Sequence, residues 1–289
     1  MSIPILTPRQ LHQPEVHGHR GCRGLRPENT MSAFLHAVAL GVEVIELDVV
    51  ISQDHQVVVS HEPWLSAKLG RGPQGELIEQ IQEQRYNLYQ LPYTVIRQCS
   101  VGEWSHANFP EQQPELTHRP LLREVLHQVT IASQQHGRAV GFSVEIKAWP
   151  MGDDIFHPRP ALFVDLVVAE LLAADTLSRT TLLSFDTRVL QAARRAYPSL
   201  ALCLLIEDYL PAITTIFNDL GFEPESLGPD FHLLSASSVQ HIRTTYPTLR
   251  LVPWTVNTPA ELTMALGWQP DAITTDYPDR LIALLNKGE

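Results

Sequence analysis

Short β-branched runs alternate with amphipathic segments along almost the whole chain. Apolar runs of strand length fall at 16–21, 44–51, 141–147, 181–185, 201–206, 231–236, 251–256 and 272–276, and a further short run follows a turn at 57–61. Stretches with the helical period lie between them. "NTMSAFLHAVALG" begins at a cap near Asn29 and stops at Gly41. "PLLREVLHQVTIASQQHG" puts Leu122, Val125, Leu126 and Val129 on one face, opens on Pro120 and ends before Gly137. "DTRVLQAARRAYP", "TPAELTMALG" and "PDRLIALLNKG" repeat the same start and stop logic. Eight strands alternating with helices predict parallel pairing, in an open doubly wound sheet or a closed barrel. The barrel is favoured because the residues with chemistry fall at the C-terminal ends of many strands, where barrel active sites are built.

Residues 65–118 break the alternation. They are rich in Gln and turn residues, and a structureless loop of that length is uncommon inside a compact domain. The segment is read as an insertion with some structure of its own, leaving a strand end beside the mouth of the site. Tyr86, Tyr93 and Trp104 are its candidates for an aromatic wall, and Tyr86 and Tyr93 suit a small internal core better.

The length of 289 residues fits a single α/β domain over 1–289, and 44% hydrophobic residues supply a sizeable core. A net charge of −11 argues against a nucleic-acid surface, but leaves room for a small anion held by local arginines or a metal. Cys22, Cys99 and Cys203 fit no zinc or disulfide framework. The first residues show no basic segment followed by an apolar one, and no apolar run is long enough for a bilayer. A cytoplasmic protein without stable membrane insertion is the expectation. Homo-oligomerisation is left open.

Strand parity locates the chemistry. In "VIELDVV", Glu46 and Asp48 share one face while Ile45, Leu47 and Val49 share the other. In "FSVEIKAW", Glu145 and Lys147 share a face in the same way. Three inward carboxylates make an oxygen-rich site for a hard cation such as magnesium or calcium. The plainer alternative is a set of salt bridges, with Lys147 the partner of Glu145. His19 and His61 stand at the ends of separate strands near these carboxylates and suit an acid–base pair. Arg20 offers a planar fork to an oxygen of a small anion, with Glu28 placed to orient it. Gly18 and Gly21 let the backbone flank a crowded site. Trp254 ends a late strand, as a pocket wall or a barrel plug.

The ordered set HRG, PENT, ELD, H, EIK, WTVN and TD-P resembles the glycerophosphodiester phosphodiesterase family, from "HGHRG" to "ITTDYPDRL". The resemblance implies a TIM (β/α)8 barrel with a small insertion after the second strand. It implies metal-dependent hydrolysis of glycerophosphodiesters to sn-glycerol 3-phosphate and an alcohol. It places Glu46, Asp48 and Glu145 as ligands of a divalent magnesium or calcium ion, His19 and His61 as catalytic, and Arg20, Lys147 and Trp254 against the substrate. The chain departs from the family pattern at His61–Glu62, where the family usually has HD, and at His17, Arg23 and Arg26, where small or apolar residues are usual. A related barrel phospholipase or sphingomyelinase D, acting on whole lipids, is the alternative; it favours an apolar or membrane-seeking rim, and the insertion reads as polar.

Overall fold

The computed structural model describes residues 13–104, 106–210 and 212–287; most of the N-terminal stretch read above for a signal lies outside the described residues. Eight parallel strands form the frame. They are β1 (Glu15–Gly18), β2 (Val44–Ile51), β6 (Gly141–Ile146), β7 (Thr180–Ser184), β8 (Ala201–Ile206), β9 (Ser226–Pro229), β10 (Arg250–Leu251) and β11 (Ala272–Thr275). Their order in the sheet is β10-β9-β8-β7-β6-β2-β1-β11. The remaining gap is bridged past the end of β10: Asp271 N donates to Leu251 O and Thr274 N to Pro253 O, both at 3.0 Å, and Val256 N donates to Thr274 O at 3.0 Å. The ring of strands is therefore the predicted TIM barrel. Pro253, which has no N–H, is why the strand expected over 251–256 is recognisable as strand only at its first residues.

Helices cover the outside: α1 (Met31–Leu40), α3 (Leu122–Gln135), α4 (Pro160–Ala173), α5 (Thr187–Ala196), α6 (Ile213–Leu220), α7 (Ala236–Thr245), α8 (Pro259–Leu266) and α9 (Pro278–Asn286). Their ends follow local chemistry. Thr30 caps α1 through Ala33 N, and Gly41 closes it at φ 113°. Thr258 and Glu261 form a reciprocal capping box around Pro259 at the start of α8. Ile45, Leu47 and Val49 are fully buried in the main core, as their parity requires.

One strand lies elsewhere than its pattern predicts. The run at 231–236 is not a strand: Phe231–Leu233 form a 3-10 turn capped by Asp230, and the sixth barrel strand is Ser226–Pro229. "SLGP" has too little β-branched character to stand out, yet Leu205 pairs with Gly228 and Ile206 with Pro229 in the ladder.

The insertion follows β3 (Val57–Val59), which pairs antiparallel with β2. It carries a short helix, α2 (Tyr93–Ile96), and a two-stranded ribbon of β4 (Ser100–Val101) and β5 (Thr117–His118). Ile78, Leu88, Tyr93, Ile96 and Cys99 form a second small core with Val50, Val58 and Leu121, and Tyr86 packs against it.

Candidate active site

The strand ends bring the predicted residues together. Asp48 and Glu145 are register partners on adjacent strands, and Glu46 lies two residues before Asp48 on the same face. One carboxylate oxygen from each of Glu46, Asp48 and Glu145 falls within 4.8 Å of the others, and all three side chains are buried. Lys147 Nζ stands 3.0 Å from Asp48 Oδ1 and 2.6 Å from Glu145 Oε1, so the expected ion pair with Glu145 is present. One ammonium is thus shared between two of the three carboxylates.

The charge balance of the trio is short of cations. Burial, then Asp48 and Glu145, push the Glu46 carboxyl well above the ordinary carboxylate range. Burial also raises Glu145, against the pull of Lys147. Asp48 goes the other way: Lys147 and Arg20 outweigh burial and hold it well below its usual value. Three clustered, buried carboxylates, one of them driven towards protonation, are the donor set a hard divalent cation satisfies. The residues present fit such an ion.

His19 is the first residue past β1. His19 Nδ1 lies 2.7 Å from Asp276 Oδ1, just beyond β11, and His19 Nε2 lies 3.9 Å from Glu46 Oε2. Burial holds the imidazole down at about 4; Asp276 opposes this, while Arg23 and Arg20 reinforce it. Arg20 follows at φ 49°, and this left-handed turn lets its backbone N–H donate to Glu46 Oε2 at 2.7 Å. Arg20 Nη1 donates to Glu28 Oε1 at 2.7 Å, as expected of the PENT glutamate. The two glycines are required by space: a Cβ on Gly18 would come 2.1 Å from Gly21 O, and one on Gly21 2.7 Å from the Ala33 backbone.

His61 faces the same cavity from the loop after β3, about one-third exposed (31%), with Nδ1 2.9 Å from Glu62 Oε1. His61 and Arg20 hold the Glu62 carboxyl down at about 2, against the push of burial. Trp254 both plugs and lines. It packs on Leu183, Cys203 and Leu205 of the barrel interior, donates from Nε1 to Gly228 O at 2.7 Å, and faces the cavity. His17 is buried beside Glu15 at 3.4 Å and does not line the cavity.

The cavity at the C-terminal mouth measures about 540 Å³ and takes in His19, Arg20, Glu46, His61, Glu145, Lys147 and Trp254. Its aromatic wall comes from Trp64, Trp149, Phe185 and Trp254. Trp104 is not part of it, and its Nε1 donates to Lys68 O at 3.0 Å. Asp276 and Asn257 stand in the motifs TD-P and WTVN but had no role assigned from the sequence. Asp276 accepts from Arg23 Nε at 2.9 Å, from Arg23 Nη2 at 3.1 Å and from Asn257 Nδ2 at 2.8 Å. Asn29 Nδ2 donates to Asp48 Oδ2 at 2.8 Å. The available signal was an aspartate directly after the last strand, in "ITTD", the same strand-end position that singled out His19.

Comparison with known proteins gives the family and the fold. The sequence profile of the Glycerophosphoryl diester phosphodiesterase family matches residues 19–280. A glycerophosphodiester phosphodiesterase of Bacillus subtilis (strain 168) is 26% identical over 278 residues, covering 93% of this chain and 85% of that protein. A crystal structure from Silicibacter pomeroyi DSS-3, assigned as a glycerophosphoryl diester phosphodiesterase, superposes with a TM-score of 0.83 at 28% identity over 96% of this chain and 95% of that one. A phosphodiesterase from Oleispira antarctica, solved in complex with the product sn-glycerol-3-phosphate, shares the fold at TM-score 0.73 and 20% identity, covering 94% of this chain and 97% of that one.

Proposed function

This chain belongs to the glycerophosphoryl diester phosphodiesterase family, and from that premise we propose that it hydrolyses glycerophosphodiesters to sn-glycerol 3-phosphate and an alcohol, with His19 as general base and His61 as general acid. The observation that carries the reading is the placement of His19, between Asp276 at 2.7 Å and the Glu46 side of the carboxylate trio at 3.9 Å. Asp276 fixes the tautomer with the proton on Nδ1 and leaves the Nε2 lone pair facing the site. A neutral imidazole so held accepts a proton from the attacking hydroxyl. His61 is oriented in turn by Glu62 and is placed to donate a proton to the leaving alkoxide.

Glu46, Asp48 and Glu145 would hold a divalent cation, magnesium or calcium by its oxygen-only donor set. Such an ion, when bound, offsets phosphate charge and makes a bound hydroxyl more acidic. Arg20 and Lys147 frame the phosphate. Arg20 is fixed by Glu28, and its Nε lies 3.3 Å from Asp48 Oδ2. The same residues serve whether the nucleophile is water or the glycerol 2-hydroxyl.

The decisive experiment assays glycerophosphocholine, glycerophosphoethanolamine and glycerophosphoglycerol with added magnesium or calcium and after EDTA treatment. Glycerol 3-phosphate should appear only with metal, and Glu46→Gln and Glu145→Gln should lose metal affinity and most activity while keeping the far-UV signature of the fold. Full activity after EDTA would remove the metal from the mechanism.

A further inference from the structure

The loop that carries His61 is built against a buried cation outside the cavity. Arg119 stands between β5 and α3, where the chain runs back beside β3: Val59 N donates to Pro120 O at 2.9 Å, and Val58 and Leu121 form an antiparallel bridge. Arg119 is only 4% exposed, yet no carboxylate among the described residues is ion-paired with it. Burial pulls its guanidinium below the ordinary arginine value, and the groups that oppose this are Cys99, Glu62 and Glu28. A buried charge without an ion pair is costly. One of the two carboxylates that offset it, Glu62, is the partner of His61.

The side-chain hydrogen bond of Arg119 leads the same way. Its Nε donates to Ser60 Oγ at 3.3 Å, and Ser60 Oγ donates to Glu62 O at 2.8 Å. A guanidinium has donors and no acceptor, so it can only take a lone pair of the hydroxyl. The single Ser60 hydroxyl proton is then committed to Glu62 O. Ser60 is itself buried, and its N–H donates to Asp48 O at 3.0 Å, so water has little room to substitute. The turn over 60–62 is thereby held in the form in which Glu62 Oε1 lies 2.9 Å from His61 Nδ1. On its other side Arg119 is held by the insertion: Tyr93 Oη donates to Arg119 O at 3.1 Å, and Tyr93 and Cys99 share the insertion's small core.

We propose that Arg119 is a positioning residue for proton transfer by His61: through Ser60 it fixes the turn that sets Glu62 on Nδ1 and turns Nε2 to the cavity. This role rests on the reading of His61 as the general acid. Arg119 does not line the cavity, so it acts through Ser60 and Glu62 and not on the substrate.

The leaving group separates this role from a merely structural one. A poor leaving alkoxide needs a proton in the transition state, and p-nitrophenolate does not. Glycerophosphocholine and the p-nitrophenyl ester of glycerol 3-phosphate share the phosphoglycerol half, and both are assayed with magnesium or calcium present. Arg119→Met replaces a buried cation by an apolar side chain of similar length, a change that buried sites tolerate. It should lower kcat on glycerophosphocholine by about 10–100-fold, part of what a proton transfer supplies, and on the p-nitrophenyl ester by less than about threefold, with KM little changed for either. Arg119→Lys keeps a donor-only cation and should recover most of the loss, and Ser60→Ala should reproduce it. Equal losses on the two substrates in Arg119→Met, or none, would overturn the positioning role; a selective loss in His61→Ala, run alongside, would then leave the acid reading standing. Equal losses in His61→Ala would overturn the acid reading, and the positioning role with it. One readout needs no turnover. The side-chain 15N signals of His61, assigned by their absence from His61→Ala, should report a lost Nδ1 hydrogen bond in Arg119→Met and a retained one in Arg119→Lys. Unchanged signals in Arg119→Met would overturn the positioning role even in a protein that hydrolyses neither diester.

Discussion

The residue with the most to explain is Asp276. It is fully buried, shared between His19, Arg23 and Asn257, and held below the ordinary aspartate range, burial being outweighed by His19 and Arg23. An anion with three donors is a fixed acceptor, and a fixed acceptor on Nδ1 makes His19 a base in one orientation. Asp276→Asn keeps the volume but permits the amide to donate to Nδ1 and flip the tautomer. It should lower kcat by about 10²–10⁴-fold with a much smaller change in KM. Since burial keeps His19 neutral down to about 4, the acid limb of the kcat/KM profile should fall below 6.5, the ordinary histidine value; a limb at or above it would remove His19 as the neutral base. His19→Ala and His61→Ala should each lose roughly 10²–10⁴-fold, and the double variant less than the product of the two if they act as a unit. A His61→Ala enzyme within a few fold of wild type would refute the pair.

At the scale of elements, parity did most of the work. Alternation along 44–51 and 141–147 sorted Glu46, Asp48 and Glu145 from Ile45, Leu47 and Val144 without any coordinates, because a half-turn per residue is a property of the strand itself. Asp276 escaped because it closes the run 272–276 as a lone carboxylate, with no second inward carboxylate on its strand to mark it. The sixth strand escaped because "SLGP" pairs through its neighbours' backbones and not through its own propensity. Sequence also placed the insertion beside the mouth, but not its points of attachment. Gln112 Nε2 donates to Arg23 O at 2.6 Å, and the Arg23 guanidinium lies 4.6 Å over the Phe109 ring. The insertion thus holds Arg23, Arg23 grips Asp276, and Asp276 orients His19. A cation–π contact of this kind contributes about 0.5–2 kcal/mol. Phe109→Ala should therefore reduce kcat by about two- to thirtyfold while leaving KM and the ranking of headgroups in place. A changed ranking at constant kcat would mean that the insertion acts on substrate choice alone.

For the whole molecule, the question is whether barrel and insertion unfold as one unit, and the three thiols sample both. Cys22 is buried behind α1, its Sγ donating to Ala33 O at 3.2 Å. Cys203 is buried on β8 inside the barrel. Cys99 belongs to the insertion's separate small core. Burial pushes the Cys22 thiol up to about 12, the Cys99 thiol up to about 11, and Cys203 upward as well. Alkylation needs the thiolate, so iodoacetamide at pH 8 should leave the native protein unmodified, and denaturant should make all three sites reactive. The order is informative. A core as small as the insertion's opens at a lower free energy than the barrel, so Cys99 should react first as denaturant rises, and Cys22 and Cys203 later and together. A divalent metal at 100 times its Kd stabilises the state that binds it by about 2.7 kcal/mol, which slows labelling that requires barrel opening by roughly 100-fold. It should protect Cys22 and Cys203 by that factor and Cys99 hardly at all. Peptide mapping of the alkylated protein, with and without metal, reads all three sites in one experiment. A single common rate for the three thiols, equally slowed by metal, would make the insertion part of the barrel's own cooperative unit.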